Sequence, residues 1–201
     1  MEFIDFSKGI VLLYGEAATG KTTIAMQLGR NVAKNKRVVF IDSENGFSLE
    51  RFKQIAGEDY KKYLDKIFLL LVKDFKEQTK AVLGLEKLKN VGLVVVDTIG
   101  SQYRVSVREN YAEANYQFDK QLKMLQELTR RNIAVLITNQ VYANLEEQGM
   151  QKEVKSVGGS MVRNWAGCII QLRKEPRMMV MEKPFRKEKM FEITAAGVEL
   201  I

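Results

Sequence analysis

Short apolar runs alternate with polar stretches of helical spacing along most of the chain. IVLLYG (10–15), RVVFID (37–42), KIFLLLV (66–72), VGLVVVD (91–97) and NIAVLITN (132–139) read as strands. Between them, TTIAMQLGRNVAK (22–34) places Ile24, Leu28 and Val32 on one helical face. SLERFKQIAG (48–57) reads as a helix closed by Gly57, and DFKEQTKAVLGLEKLKN (74–90) as another. NYAEANYQFDKQLKMLQELTRR (110–131) predicts a long helix, with Asn110 and Glu113 as its cap. Strands that are apolar throughout and alternate with helices imply a parallel sheet covered on both faces. After residue 165 the rhythm changes. AGCIIQLRK, RMMVMEKP and KMFEIT read as strands joined by short polar turns. The expected fold class is therefore α/β: a mainly parallel twisted sheet flanked by helices, with a C-terminal antiparallel β extension. Residues 1–201 contain no linker, repeat or low-complexity tract, which predicts a single domain. The intervals 99–110 and 141–164 read as loops.

Composition removes several chemistries. The 201 residues include no histidine, which excludes Ser-His-Asp triads, histidine zinc sites and imidazole acid–base catalysis. Cys168 is the single cysteine, so no disulfide framework forms, and a small core residue in a reducing cytoplasm is expected. No apolar run is long enough to span a bilayer, and MEFIDFSKG lacks the pattern of a signal peptide. The formal charge of +7 is compatible with a nucleic-acid partner without requiring one.

The remaining chemistry concentrates at strand ends. GEAATGKT (15–22) matches G-x(4)-G-K-[ST] between a strand and a helix, the context that phosphate binding requires. Gly15 and Gly20 let the backbone turn tightly against an anion. Glu16, Ala17, Ala18, Thr19, Gly20, Lys21, Thr22 and Thr23 then point backbone N–H groups and a helix N-terminus at phosphate oxygens. Lys21 reaches the β- and γ-oxygens, and the Thr22 hydroxyl is placed to ligate Mg²⁺. Asp97 closes the apolar run VGLVVVD, where a carboxylate can hold the same cation. Glu44, in IDSENGF, can orient or deprotonate an attacking water, with Asp42 as its rival. Gln140, ending ITNQ, can report the γ-phosphate by hydrogen bond.

VLLYGEAATGKTT, VVFIDSENGFSLERF, LVVVDTIGSQYR, VLITNQVYA, VGGSMVRNWAGCIIQLRK and FEITAAGVELI together resemble the ATPase core of RecA-like recombinases, and most closely the archaeal RadB family. DFKEQ (74–78) resembles a stretch typical of RadB. The resemblance runs from about Lys8 to the C-terminus. It implies a RecA-like P-loop ATPase core with ATP and Mg²⁺ as cofactors, and a weak ATPase activity. Glu44, Lys21 and Gln140 then carry catalytic roles, and Arg51 packs on the adenine. The helix-hairpin-helix domain and F-x-x-A linker of RadA have no counterpart here. The resemblance further implies an accessory role in DNA repair and homologous recombination, without strand exchange. Expected partners are single- and double-stranded DNA, RadA, a Holliday-junction resolvase and further copies of the chain.

By the same resemblance, the intervals 99–110 and 141–164 face DNA. Tyr103 would stack on a base, and Arg104, Arg108, Lys152, Lys155 and Arg163 would meet phosphates. The second interval also carries Glu146, Glu147 and Glu153, which bring its charge near neutral. MEKPFRKEK (181–189) adds Lys183 and Arg186 on a basic hairpin, which is either a ligand contact or a solvated tip. Competing readings are a KaiC-type signalling module without DNA binding and a P-loop small-molecule kinase. The kinase reading lacks an Arg-rich lid.

Overall fold

The computed structural model describes residues 3–142, 155–156 and 158–201. In chain order, β1 (Ile10–Gly15), α1 (Lys21–Ala33), β2 (Arg37–Asp42), α2 (Leu49–Ala56), α3 (Tyr60–Leu64), β3 (Ile67–Leu71), α4 (Phe75–Gly84) and β4 (Val91–Asp97) form the first half. α5 (Ser101–Glu109), α6 (Tyr111–Arg130), β5 (Ala134–Tyr142), β6 (Lys155–Ser156) and α7 (Gly159–Trp165) follow. β7 (Ala166–Lys174), β8 (Arg177–Lys183), β9 (Lys187–Thr194) and β10 (Gly197–Leu200) complete the chain.

The strands form a sheet in the order β10-β9-β8-β7-β1-β5-β4-β2-β3, with β6 paired to β5. From β7 through β1, β5, β4 and β2 to β3 all pairings are parallel. From β7 outward through β8 and β9 to β10 they are antiparallel. Successive residues of a strand point to opposite faces, so each central strand supplies two cores. Leu12, Val94, Val96 and Ile137 pack with Phe118, Leu122 and Leu125 of α6 on one side. Leu13, Phe40, Val95 and Leu136 pack with Ile24 and Leu28 of α1 and Phe52 of α2 on the other. This two-sided demand is why the middle of each of these strands is apolar on both faces. Cys168 is buried in the second core, and burial raises its thiol pKa, as suits an unreactive packing residue.

β3 departs from the expectation of cover on both faces. Among the described residues it is an edge strand paired with β2, and Phe68, Leu69, Leu70 and Leu71 are 38–57% exposed. Its composition is that of a central strand but its position is peripheral. The interval 99–110, read as a loop, is largely the helix α5, and part of 141–164 is the helix α7. Buried Tyr103 fixes α5: its ring stacks on Phe118 with centroids 4.2 Å apart and lies 5.9 Å from Phe75. Tertiary packing thus overrides a weak local pattern. A further strand, β10, follows the expected C-terminal strands. The α6 cap is Asn110, whose side-chain oxygen accepts from Glu113 N at 3.1 Å; the Glu113 carboxylate instead accepts from Gln117.

Candidate nucleotide-binding site

β1 runs directly into the phosphate loop, and α1 begins at its end. Gly20, the N-cap of α1, has φ +102°, a conformation that side chains disfavour. A Cβ on Gly15 would lie 2.4 Å from the carbonyl oxygen of Leu172 in β7, so the loop needs glycine there for close strand packing. Lys21 is buried, and its Nζ donates to the carbonyls of Gly15 (2.9 Å) and Glu16 (2.7 Å). These carbonyls hold the ammonium over the loop where phosphate oxygens would exchange with them. Burial lowers the Lys21 pKa from its ordinary value; the nearby Asp97 and Glu44 carboxylates pull it back up.

β5 lies between β1 and β4 in the sheet, so its C-terminal end reaches both the phosphate loop and the acid. Asp97 is buried. Its Oδ2 accepts from Thr22 Oγ1 at 2.7 Å, and its Oδ1 accepts from Thr138 Oγ1 of β5 in a very short contact. Desolvation raises the Asp97 pKa, against the two hydroxyl bonds. Oxygens of Thr22 and Asp97 therefore converge beside the phosphate loop, as the donor set of a hard cation such as Mg²⁺ requires. Thr138 went unnoticed in the sequence, although period-two alternation puts it on the same face as Gln140.

Asp42 and Glu44 separate clearly. The Asp42 carboxylate is buried and accepts from the backbone N–H groups of Glu44 (3.1 Å), Gly46 (3.1 Å) and Phe47 (2.9 Å). It shapes the turn after β2. Glu44 is exposed and lines an open cleft of about 390 Å³ with Lys21, Thr22, Thr98, Gln140 and Ile193. Ile193 reaches over Gly20: its Cδ1 lies 3.0 Å from where a Cβ would stand. It comes from β9, where the sequence singled out no site residue. Arg51 is half-buried and donates to the carbonyls of Thr194 (2.7 Å) and Ala195 (3.1 Å), tying α2 to the β9–β10 turn.

The expected DNA contacts scatter. Tyr103 is 6% exposed, and its hydroxyl donates to Asn115 Oδ1 at 2.6 Å. Its ring is committed to Phe118, so it does not present a face to a base, and that expectation is corrected. Arg104 is half-buried on α5, and Arg108 is exposed near its end. Lys152 lies outside the described residues, as do Glu146, Glu147 and Glu153; Lys155 opens β6, with its side chain outside what is described. Arg163 pairs with Glu182 at 2.6 Å and lies over the Tyr14 ring at 5.4 Å. Lys183 donates to the Ala166 carbonyl at 2.6 Å, and Arg186 pairs with Glu188 at 2.7 Å.

A phosphate loop on one strand, an acid on the next strand but one and a polar strand end between them define a RecA-like P-loop core. The Rad51 family model matches residues 6–200. The chain is 37% identical over 207 residues to the DNA repair and recombination protein RadB of Methanococcoides burtonii, covering 96% of this chain and 90% of that one. It is 34% identical to RadB of Methanocaldococcus jannaschii, covering 96% and 94%. A crystal structure described as the RadB recombinase superimposes with a TM-score of 0.77 at 30% identity, covering 96% and 91%. The chain belongs to the archaeal RadB family of DNA repair and recombination proteins. No helix among the described residues is long and apolar enough to cross a membrane.

Proposed function

We propose that the chain is an accessory ATPase of DNA repair and recombination: it binds ATP with Mg²⁺, hydrolyses it slowly, and changes its contacts with DNA and with RadA according to nucleotide state. The observation that carries this reading is the convergence of Lys21, Thr22, Glu44 and Gln140 on one cleft, with buried Asp97 bonded to Thr22 behind it. Lys21 and the N-terminus of α1 bind the phosphates. Thr22 and Asp97 would hold Mg²⁺, which would supply charge neutralisation to the bound phosphates. Glu44 orients the attacking water and takes its proton. Gln140, on β5, meets the γ-phosphate.

Nucleotide titration and phosphate release test the reading. Lys21→Ala should lose ATP binding, because the phosphate charge loses its main partner; unchanged affinity would overturn the phosphate-loop assignment. Glu44→Gln should bind ATP normally yet lose roughly 100-fold or more in turnover. Titration of labelled single- and double-stranded DNA, with and without ATP and across salt, tests the DNA contact. DNA affinity indifferent to both nucleotide and salt would favour a signalling module acting by protein contacts alone.

A further inference from the structure

Glu44 stands two residues past the end of β2 and is exposed, so the loop that carries it decides where its carboxylate points. That loop is tied to the loop after β4 by side chains that continue the sheet beyond its last backbone pair, Asp42 with Asp97. Ser43 N donates to Asp97 O at 2.9 Å. Ser43 Oγ accepts from Thr98 N at 3.0 Å and donates to Thr98 O at 2.8 Å. Gln102 Nε2, in the first turn of α5, donates to Ser43 O at 3.1 Å. Thr98 Oγ1 then reaches Glu44 Oε1 at 3.4 Å, and the Thr98 residue lines the same cleft.

We propose that Ser43 and Thr98 are positioning residues that clasp the two loops together and set the direction of Glu44 over the phosphate cleft. The inference rests on the reading of Glu44 as the water-activating carboxylate. A hydroxyl is the smallest side chain that can both accept from an amide and donate to a carbonyl, and Ser43 uses it for both groups of one residue. Ser43 and Thr98 are 8% and 3% exposed, so alanine at 43 leaves a buried N–H and a buried C=O without their partner. The clasp holds Ser43, and the Asp42 carboxylate accepts from the next backbone N–H, that of Glu44. The Thr98 hydroxyl adds a long contact, 3.4 Å, to the carboxylate itself. A base placed in this way supplies its rate factor only while its oxygen stays within hydrogen-bond reach of the water.

Ser43→Ala and Thr98→Val should each lower kcat for ATP by about tenfold while nucleotide affinity changes less than about twofold, a fraction of what a placed base contributes. Thr98→Ser, which keeps the hydroxyl, should restore kcat. In a Glu44→Gln background, Ser43→Ala should cost nothing further, because the group it positions is gone. An unchanged kcat in Ser43→Ala overturns the proposal. So does a loss of kcat, nucleotide affinity and thermal midpoint in parallel, which marks a structural tie only. If wild type and Glu44→Gln turn over alike, the water-activating reading fails instead. Amide exchange at Thr98 and Glu44 then decides the clasp: acceleration in Ser43→Ala supports it, and unchanged exchange overturns it.

Discussion

Asp42, Glu44 and Asp97 are carboxylates around one cleft, and their neighbours give each a different task. Backbone amides bond to Asp42, buried Asp97 accepts from the hydroxyls of Thr22 and Thr138, and Glu44 stands exposed to solvent. Tyr14, just before the phosphate loop, shows the same dependence on neighbours. Its hydroxyl donates to Glu182 at 2.5 Å, and burial, then Glu182, raises its pKa from 10.0 to about 12. Folded Tyr14 therefore keeps its proton across a window in which the unfolded chain has lost it. Unfolding there releases a proton, so stability falls as pH rises from 10 to about 12. The thermal midpoint of wild type should fall more steeply across that window than that of Tyr14→Phe; coincident slopes would mean that Tyr14 titrates at its ordinary value.

At the level of elements, DFKEQ acquires a physical meaning. Asp74 caps α4 by accepting from Glu77 N at 2.7 Å, and the Glu77 carboxylate accepts from Lys73 N at 3.0 Å. Phe75 packs against Tyr103 and Phe118, and Gln78, fully buried, donates to Ile99 O at 3.1 Å and to Gln121 at 2.9 Å. The motif thus docks α4 on α5 and α6 and holds the backbone just past Asp97. Asp74→Ala should cost about 1 kcal/mol of stability in urea unfolding, the usual worth of an N-cap, with little effect on nucleotide affinity. The strands with strict apolar runs and the long helix α6 were legible from periodicity alone. α5 was not: Gln102, Arg104 and Arg108 make it look like a polar loop, while Tyr103 and Val107 pack against the core across the fold.

For the whole molecule, an excess of lysine and arginine gives +7, but its distribution matters more than its sum. Arg163, Lys183 and Arg186 are each engaged within the chain, so being basic does not by itself mark a residue as a DNA contact. On the proposed reading, Arg104→Ala should flatten the slope of log affinity against log salt for single-stranded DNA by about 0.7, one phosphate's worth. An unchanged slope would place the DNA contact elsewhere.

The phosphate loop, the order of strands and helices, and the carboxylates and amide at strand ends were readable in the sequence by itself. Each is written in local spacing: glycines flanking a Lys-Thr pair, apolar runs of strand length, a polar residue where such a run stops. Tertiary structure alone decided which of Asp42 and Glu44 faces the cleft, that Thr138, Thr98 and Ile193 join the site, and that Tyr103 belongs to the core. It also put the apolar β3 at an edge. The physical reason is distance along the chain. Thr138 meets Asp97 across 41 positions and Ile193 meets Gly20 across most of the sequence, so no local pattern records the contacts that give these residues their roles.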